Sequence, residues 1–213
     1  MTELINALYV LILTLNLFAL GNGRIQSVIN IVAVQGVILG ALPLLINPEP
    51  GAELFVSSFA AVALKGFLIP GIMKKALRDV RIKREVEPLI GLLPSTILGA
   101  AVTAGVFLAS RDLTAGLPSG TALVIPTSFA TILVGFILLI TRYKAISQVL
   151  GYLVLENGIY LFSLLLVEAI PFVVEMGMLL DLLVSVFLVS IITNHINQAF
   201  SSLDTRRLSS LKE

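Results

Sequence analysis

Glu156 lies in the middle of the apolar stretch VLGYLVLENGIYLFSLLL, Asp181 in the middle of VVEMGMLLDLLVSVFLVSII, and Lys65 inside LFVSSFAAVALKGFLIP. A charge at bilayer depth is costly unless it is paired, hydrated or protonated, so such residues point to proton or ion handling. Tyr152 and Tyr160 stand at i−4 and i+4 from Glu156 and share its helix face, whereas Asn157 points elsewhere. A carboxyl beside tyrosine hydroxyls can be hydrogen-bonded in either protonation state. Low dielectric and a nearby cation push a carboxyl in opposite directions, so a mobile water or a lysine on a neighbouring chain would switch it. The competing role is a permanently protonated acid that only binds a neighbouring helix. Asp181 has Ser185 one turn on and Gly177 one turn back, a small polar stripe with room for water. Its competing role is an Asp–Ser hydrogen bond that holds helices together.

Lys65 follows Ser58 and Ala61 on one helix face, which leaves space beside an inward-facing side chain. A lysine held in apolar surroundings exchanges its proton more readily. It can equally extend its amine to the membrane interface. Gln35 falls at mid-membrane depth in the second span and Asn16 lies in the first, and side-chain amides so placed hydrogen-bond between helices. Glu175 and Glu168 belong near the outer boundary, as solvated residues or as part of an exit path. His195 ends the last apolar stretch beside Asn194, an interfacial position from which it would also meet bulk water.

These residues need a membrane to act in, and composition supplies it. Of 213 residues 57% are hydrophobic and only 13% charged, against about 25% charged in soluble domains. Uncharged runs of 24, 23 and 29 residues separate Arg24 from Glu49, Glu87 from Arg111, and Asp112 from Arg142. About 20 apolar residues cross a bilayer as a helix. The alternation of a β-barrel is absent. With no cysteine and one histidine, thiolate and histidine-rich metal sites are excluded within this chain, and no phosphate loop or nucleophile elbow appears. The chain is expected to perform no covalent catalysis, to hold no cofactor and to bind no nucleic acid. MTELINALYV lacks a basic leader and reads as a retained first helix.

The pattern predicts an all-α integral membrane protein with seven transmembrane helices, near 3–20, 25–46, 53–73, 89–109, 120–140, 149–167 and 173–194. The chain then divides into a three-helix segment 1–73, a basic loop 74–88 with its own surface helix, a four-helix segment 89–196 and a tail 197–213 that touches lipid headgroups or a partner subunit. Turn chemistry marks the connections at GNGR, NPEPG, AGLPSG and Pro171. Placing 74–88 in the cytoplasm puts 12 of the 14 Lys and Arg residues on that side, as the positive-inside rule requires. The N-terminus is then outside and the C-terminus cytoplasmic, in the inner membrane of a prokaryotic cell. Pro70, Pro94 and Pro126 fall within the spans, Pro94 and Pro126 near helix ends where proline is tolerated. Gly99, Ala100, Thr103, Ala104 and Gly105 suit the fourth span for close packing.

Residues 120–196 resemble the K subunit of bacterial NADH:quinone oxidoreductase (complex I) and the C subunit of multisubunit sodium/proton antiporters. The resemblance rests on Leu155–Glu156–Asn157, on a second acid at Asp181, and on the basic Arg142–Tyr143–Lys144 before the second of three spans. The whole chain is similar in length and layout to the component E family of hydrogenase-4 and related group 4 membrane-bound nickel–iron hydrogenases. The resemblance implies a non-catalytic subunit of a complex I-like assembly, with Glu156 and Asp181 in a proton pathway. Its partners would be antiporter-like membrane subunits and a hydrogenase or quinone-reducing module that holds the metal clusters. Two other roles remain open. One is a scaffold whose acids are locked in hydrogen bonds. The other is a stand-alone secondary transporter, against which stand the absence of an internal repeat and of paired broken helices.

Overall fold

The computed structural model describes residues 2–47, 49–79, 88–114 and 122–165, and these form a bundle of antiparallel helices. In chain order they are α1 (Thr2–Gly21), α2 (Ile25–Ile46), α3 (Ala52–Ala61), a π-helix (Val62–Leu68), α4 (Ile69–Asp79), α5 (Leu92–Ala109), the short α6 (Arg111–Thr114), α7 (Val124–Thr141) and α8 (Ala145–Ser163). No strand occurs among the described residues; Pro88 and Arg142 form one isolated antiparallel bridge. α3, the π-helix and α4 run on without a break as one rod. Residues 74–79 are therefore the end of this rod, where a separate surface helix was expected. Among the described residues five stretches are long and apolar enough to cross a membrane: α1, α2, Ala52–Lys75 of the rod, α5 and α7. The chain is thus a multi-pass membrane protein. α8 is not among the five; Ser147, Gln148, Glu156 and Asn157 reduce its apolarity. The expected seventh span, with Asp181, Ser185, Glu175, Glu168 and His195, lies outside the described residues.

Each turn has a local cause. Arg24 donates its backbone N–H to the Asn22 side chain at 2.9 Å, an Asx turn that reverses the chain between α1 and α2. Pro94 and Pro126 occupy the first turns of α5 and α7, where the missing N–H has no helical partner to lose. α7 and α8 are separated by Arg142, Tyr143 and Lys144 alone, and α8 starts four residues before the expected span.

α2 is central and touches α1, the rod and α8, while α5 leans on α1 and α7. Glycine sets the closest crossings. A Cβ at Gly36 would lie 2.7 Å from the Lys65 carbonyl carbon, and one at Gly40 would lie 2.8 Å from the Val62 nitrogen. This four-residue spacing lets two helix backbones touch. Gly151 and Gly158 do the same for α8 against Leu139 and Ile132 of α7. The small residues of α5 behave differently. Gly99 packs on Leu20, but Ala100, Ala104 and Gly105 are exposed.

The core is in two parts. One cluster gathers Ala19, Leu20, Ile25, Met73, Leu77, Ile146 and Leu150 at the end of the bundle that carries Arg24, Lys74 and Lys144. The other gathers Ile5, Tyr9, Ile12, Leu39, Leu42, Val124 and Leu161 toward the opposite end. A polar layer lies between them.

Candidate functional site

That layer begins with the register of four helices. Asn16 of α1 donates to Thr131 Oγ1 of α7 at 2.8 Å. Gln35 of α2 donates to Asn16 Oδ1 at 2.8 Å and stands 3.4 Å from the Ile12 carbonyl. Asn157 of α8 reaches Gln35 Oε1 at 3.5 Å. All four side chains are buried. Burying amides is unfavourable unless they are bonded, so the chain Thr131–Asn16–Gln35–Asn157 fixes how α1, α2, α7 and α8 align. The bonding expected of Asn16 and Gln35 is present.

Next to Asn157 on α8, Glu156 meets the rod. Lys65 Nζ lies 3.0 Å from Glu156 Oε1, with 10% and 6% of the two side chains exposed. The lysine is turned into the protein and does not run to the interface. Its amine also sits over the Tyr160 ring, 4.7 Å from the centroid, an arrangement attractive to a cation. Glu156 and Tyr160 therefore share a face, as their spacing implied. Tyr152 is only half-buried and packs against the apolar cluster near the basic end.

Local backbone geometry positions the lysine. Val62–Leu68 is wound as a π-helix, and Ile69 donates its N–H five residues back, to Leu64 O. Pro70 follows and has no N–H with which to extend either register. π segments are rare and concentrate at functional sites. Here the segment is held against α2 at Gly36 and Gly40, so Lys65 leaves the rod where α2 presents no side chain. Ser58, Ala61 and Lys65 form its buried face.

A second cation, Arg142, lies in the connection where the sequence reading placed it, but it is buried, which that reading did not address. Arg142 is 1% exposed. Its Nη2 donates to Leu20 O at 2.7 Å, its own carbonyl accepts from Gln148 at 3.1 Å, and the adjacent Thr141 carbonyl accepts from Leu89 N–H at 2.8 Å. It thus fastens the end of α1 to the end of α7, the start of α8 and the strand-like lead into α5. Burial pushes its guanidinium below the usual arginine value. The carbonyl ends of α1 and α7 favour a cation there. The available signal was an arginine directly after an apolar helix with a very short connection.

No cluster of three His, Cys, Asp or Glu residues suited to a metal occurs among the described residues. Asp181, Ser185, Glu175 and His195 are not described, so their relation to Glu156 is not drawn.

The structure thus defines a class: a multi-pass membrane protein with an acid–base pair and an amide layer buried between two apolar clusters. The chain is similar to the uncharacterized protein Rv0085 of Mycobacterium tuberculosis, 28% identical over 191 residues that cover 89% of this chain and 87% of that one. It is also distantly similar to hydrogenase-4 component E of Escherichia coli (strain K12), 24% identical over 160 residues, 75% of this chain and 74% of that one. The component E of Shigella flexneri matches to the same extent. No family model matches the chain, and no solved structure matches it.

Proposed function

We propose that this chain is a membrane subunit of a complex I-like hydrogenase or quinone-reducing assembly, and that Glu156 and Lys65 pass protons within it. The observation that carries the reading is the 3.0 Å Lys65–Glu156 pair at the level of the amide layer. An acid and a base in contact can share one proton or separate it with little movement. Desolvation makes each charge depend on its partner, so a proton arriving at Glu156 frees Lys65 to lose one. Asp181 is the second acid of the proposed relay, and protons or sodium ions would move laterally toward antiporter-like partners. The distant similarity to hydrogenase-4 component E supports the assembly. The chain itself would hold no cofactor, its partners supplying the redox centres. Seven spans with the N-terminus outside and the C-terminus cytoplasmic follow from the basic residues. Cysteines at Ser119 and Ser209 of this cysteine-free chain should then react from opposite faces.

The test is proton uptake in proteoliposomes that contain the assembled complex, normalised to redox turnover. Glu156→Gln keeps the size of the side chain and removes its titratable proton. Assembly with a lowered ratio supports the relay. An unchanged ratio in Glu156→Gln and in Lys65→Met would leave a scaffold role as the better account. Full transport activity from the isolated chain would replace both with a stand-alone transporter.

A further inference from the structure

We propose that water occupies the seam between α1 and α7 in the half of the bundle away from the basic end. Tyr9 and Thr127 would hold it there as the route between the buried pair and the outer face. Its role as a route rests on the relay reading; the water site itself rests on two hydroxyls. Tyr9 and Thr127 are both completely buried, and among the described residues neither Tyr9 Oη nor Thr127 Oγ1 has a hydrogen-bond partner. Buried hydroxyls are almost always bonded, to protein or to ordered water.

Thr127 departs from the habit of its own helix type. Thr14, Thr96, Thr103, Thr131 and Thr141 each donate to the carbonyl four residues back. Thr127 leaves Leu123 O to a backbone N–H. Its hydroxyl makes no such bond among the described residues.

The two hydroxyls are stacked along one seam. α1 and α7 pack together, and the Asn16–Thr131 bond sets their register. Tyr9 is seven residues before Asn16, on the same face and about 10 Å further from the basic end. Thr127 is one turn before Thr131, about 6 Å in the same direction. Asn6 Oδ1, one turn beyond Tyr9, is likewise buried without a partner. These spacings suit a file of waters, each of which needs two to four polar contacts. At its inner end the file meets the amide layer, whose last member, Asn157, adjoins Glu156. Proton transfer along it conserves every atom. For the route to be complete, further water must line the amide layer as far as the carboxylate; an O–H bond then forms on the Glu156 carboxylate as one breaks on the adjoining water, and successive O–H exchanges along these waters return the deficit to the outer face. The amides orient water and neither gain nor lose a proton.

The test is X-ray hydroxyl-radical footprinting of the assembled complex in oxygen-18 water, read by mass spectrometry. Bound water delivers label to side chains that touch it. Tyr9 should take up oxygen-18, whereas the equally buried Ile12 and Leu42 should not, after correction for intrinsic reactivity. Thr127→Val, which keeps the side-chain shape, should abolish most of the Tyr9 label. Tyr9 labelling no faster than Ile12 overturns the proposal. Tyr9→Phe gives a second reading. A hydrated seam predicts lower proton uptake per redox turnover. A dry one predicts a complex that melts higher, with unchanged uptake, because a desolvated hydroxyl has been removed; that result also overturns the proposal. Strong Tyr9 label with normal coupling in Glu156→Gln would remove the relay reading and leave the water site standing.

Discussion

Lys65 and Arg142 are the two buried cations among the described residues, and they are neutralised in opposite ways. Lys65 faces a carboxylate, a group that can itself take up a proton. Arg142 faces a backbone carbonyl and the ends of two helices, none of which titrates. Its guanidinium, although lowered by burial, stays charged at any working pH. The first arrangement can change state; the second can only hold. Buried charge alone therefore does not mark a functional site in this protein. What separates the two is whether the partner can titrate.

The largest expected effect falls on coupling. Glu156→Gln should lose most of the proton uptake per redox turnover, because the titratable group of the proposed relay is removed. Lys65→Met should follow closely, because its amine is engaged with Glu156 and Tyr160 instead of the interface. If Arg142→Met lowered the ratio equally in intact complex, the distinction between the two cations would collapse.

Stability comes next. Removing one member of the pair strands the other, at a cost of about 3–5 kcal/mol. Thermal melting of the complex should show both single variants destabilised and Lys65→Met/Glu156→Gln restored toward the native value. A double variant as unstable as the sum of the singles would mean that the two side chains do not interact. Arg142→Met should cost about 1–3 kcal/mol through the stranded Leu20 carbonyl and the lost charge-assisted bond, while the assembled complex keeps its proton-to-electron ratio.

The smallest effect belongs to the amide layer. Gln35→Leu should destabilise by about 0.6–1.7 kcal/mol, the range for hydrogen bonds between membrane helices. A larger loss would show that the linked amides hold α8 more strongly than one isolated hydrogen bond between membrane helices.

The sequence made Glu156 and Lys65 visible separately, because a charge within an apolar run stands out in one dimension. It could not pair them. They are 91 positions apart, and the meeting depends on a π turn that no periodicity announces and on backbone contact at Gly36 and Gly40. The first six helices were readable from uncharged runs and turn residues, with starts misplaced by up to four positions. α8 was displaced because Ser147 and Gln148 resemble a loop, although packing on α7 shelters Ser147. The burial of Arg142 went unread for a related reason. A basic residue between two apolar segments looks solvated until the shortness of the turn is taken into account.

The bonds that join the first helix to the rest have a consequence for synthesis. Asn16–Thr131 and Arg142–Leu20 connect residues 115 and 122 positions apart. Asn16 and Gln35, only 19 apart, can satisfy each other as soon as the first hairpin is inserted. The clasp that closes the bundle must wait until the fifth membrane-length helix has left the ribosome. Until then the N-terminal hairpin has only the rod and α5 to pack against, and a chain terminated before residue 131 would carry neither of these two bonds.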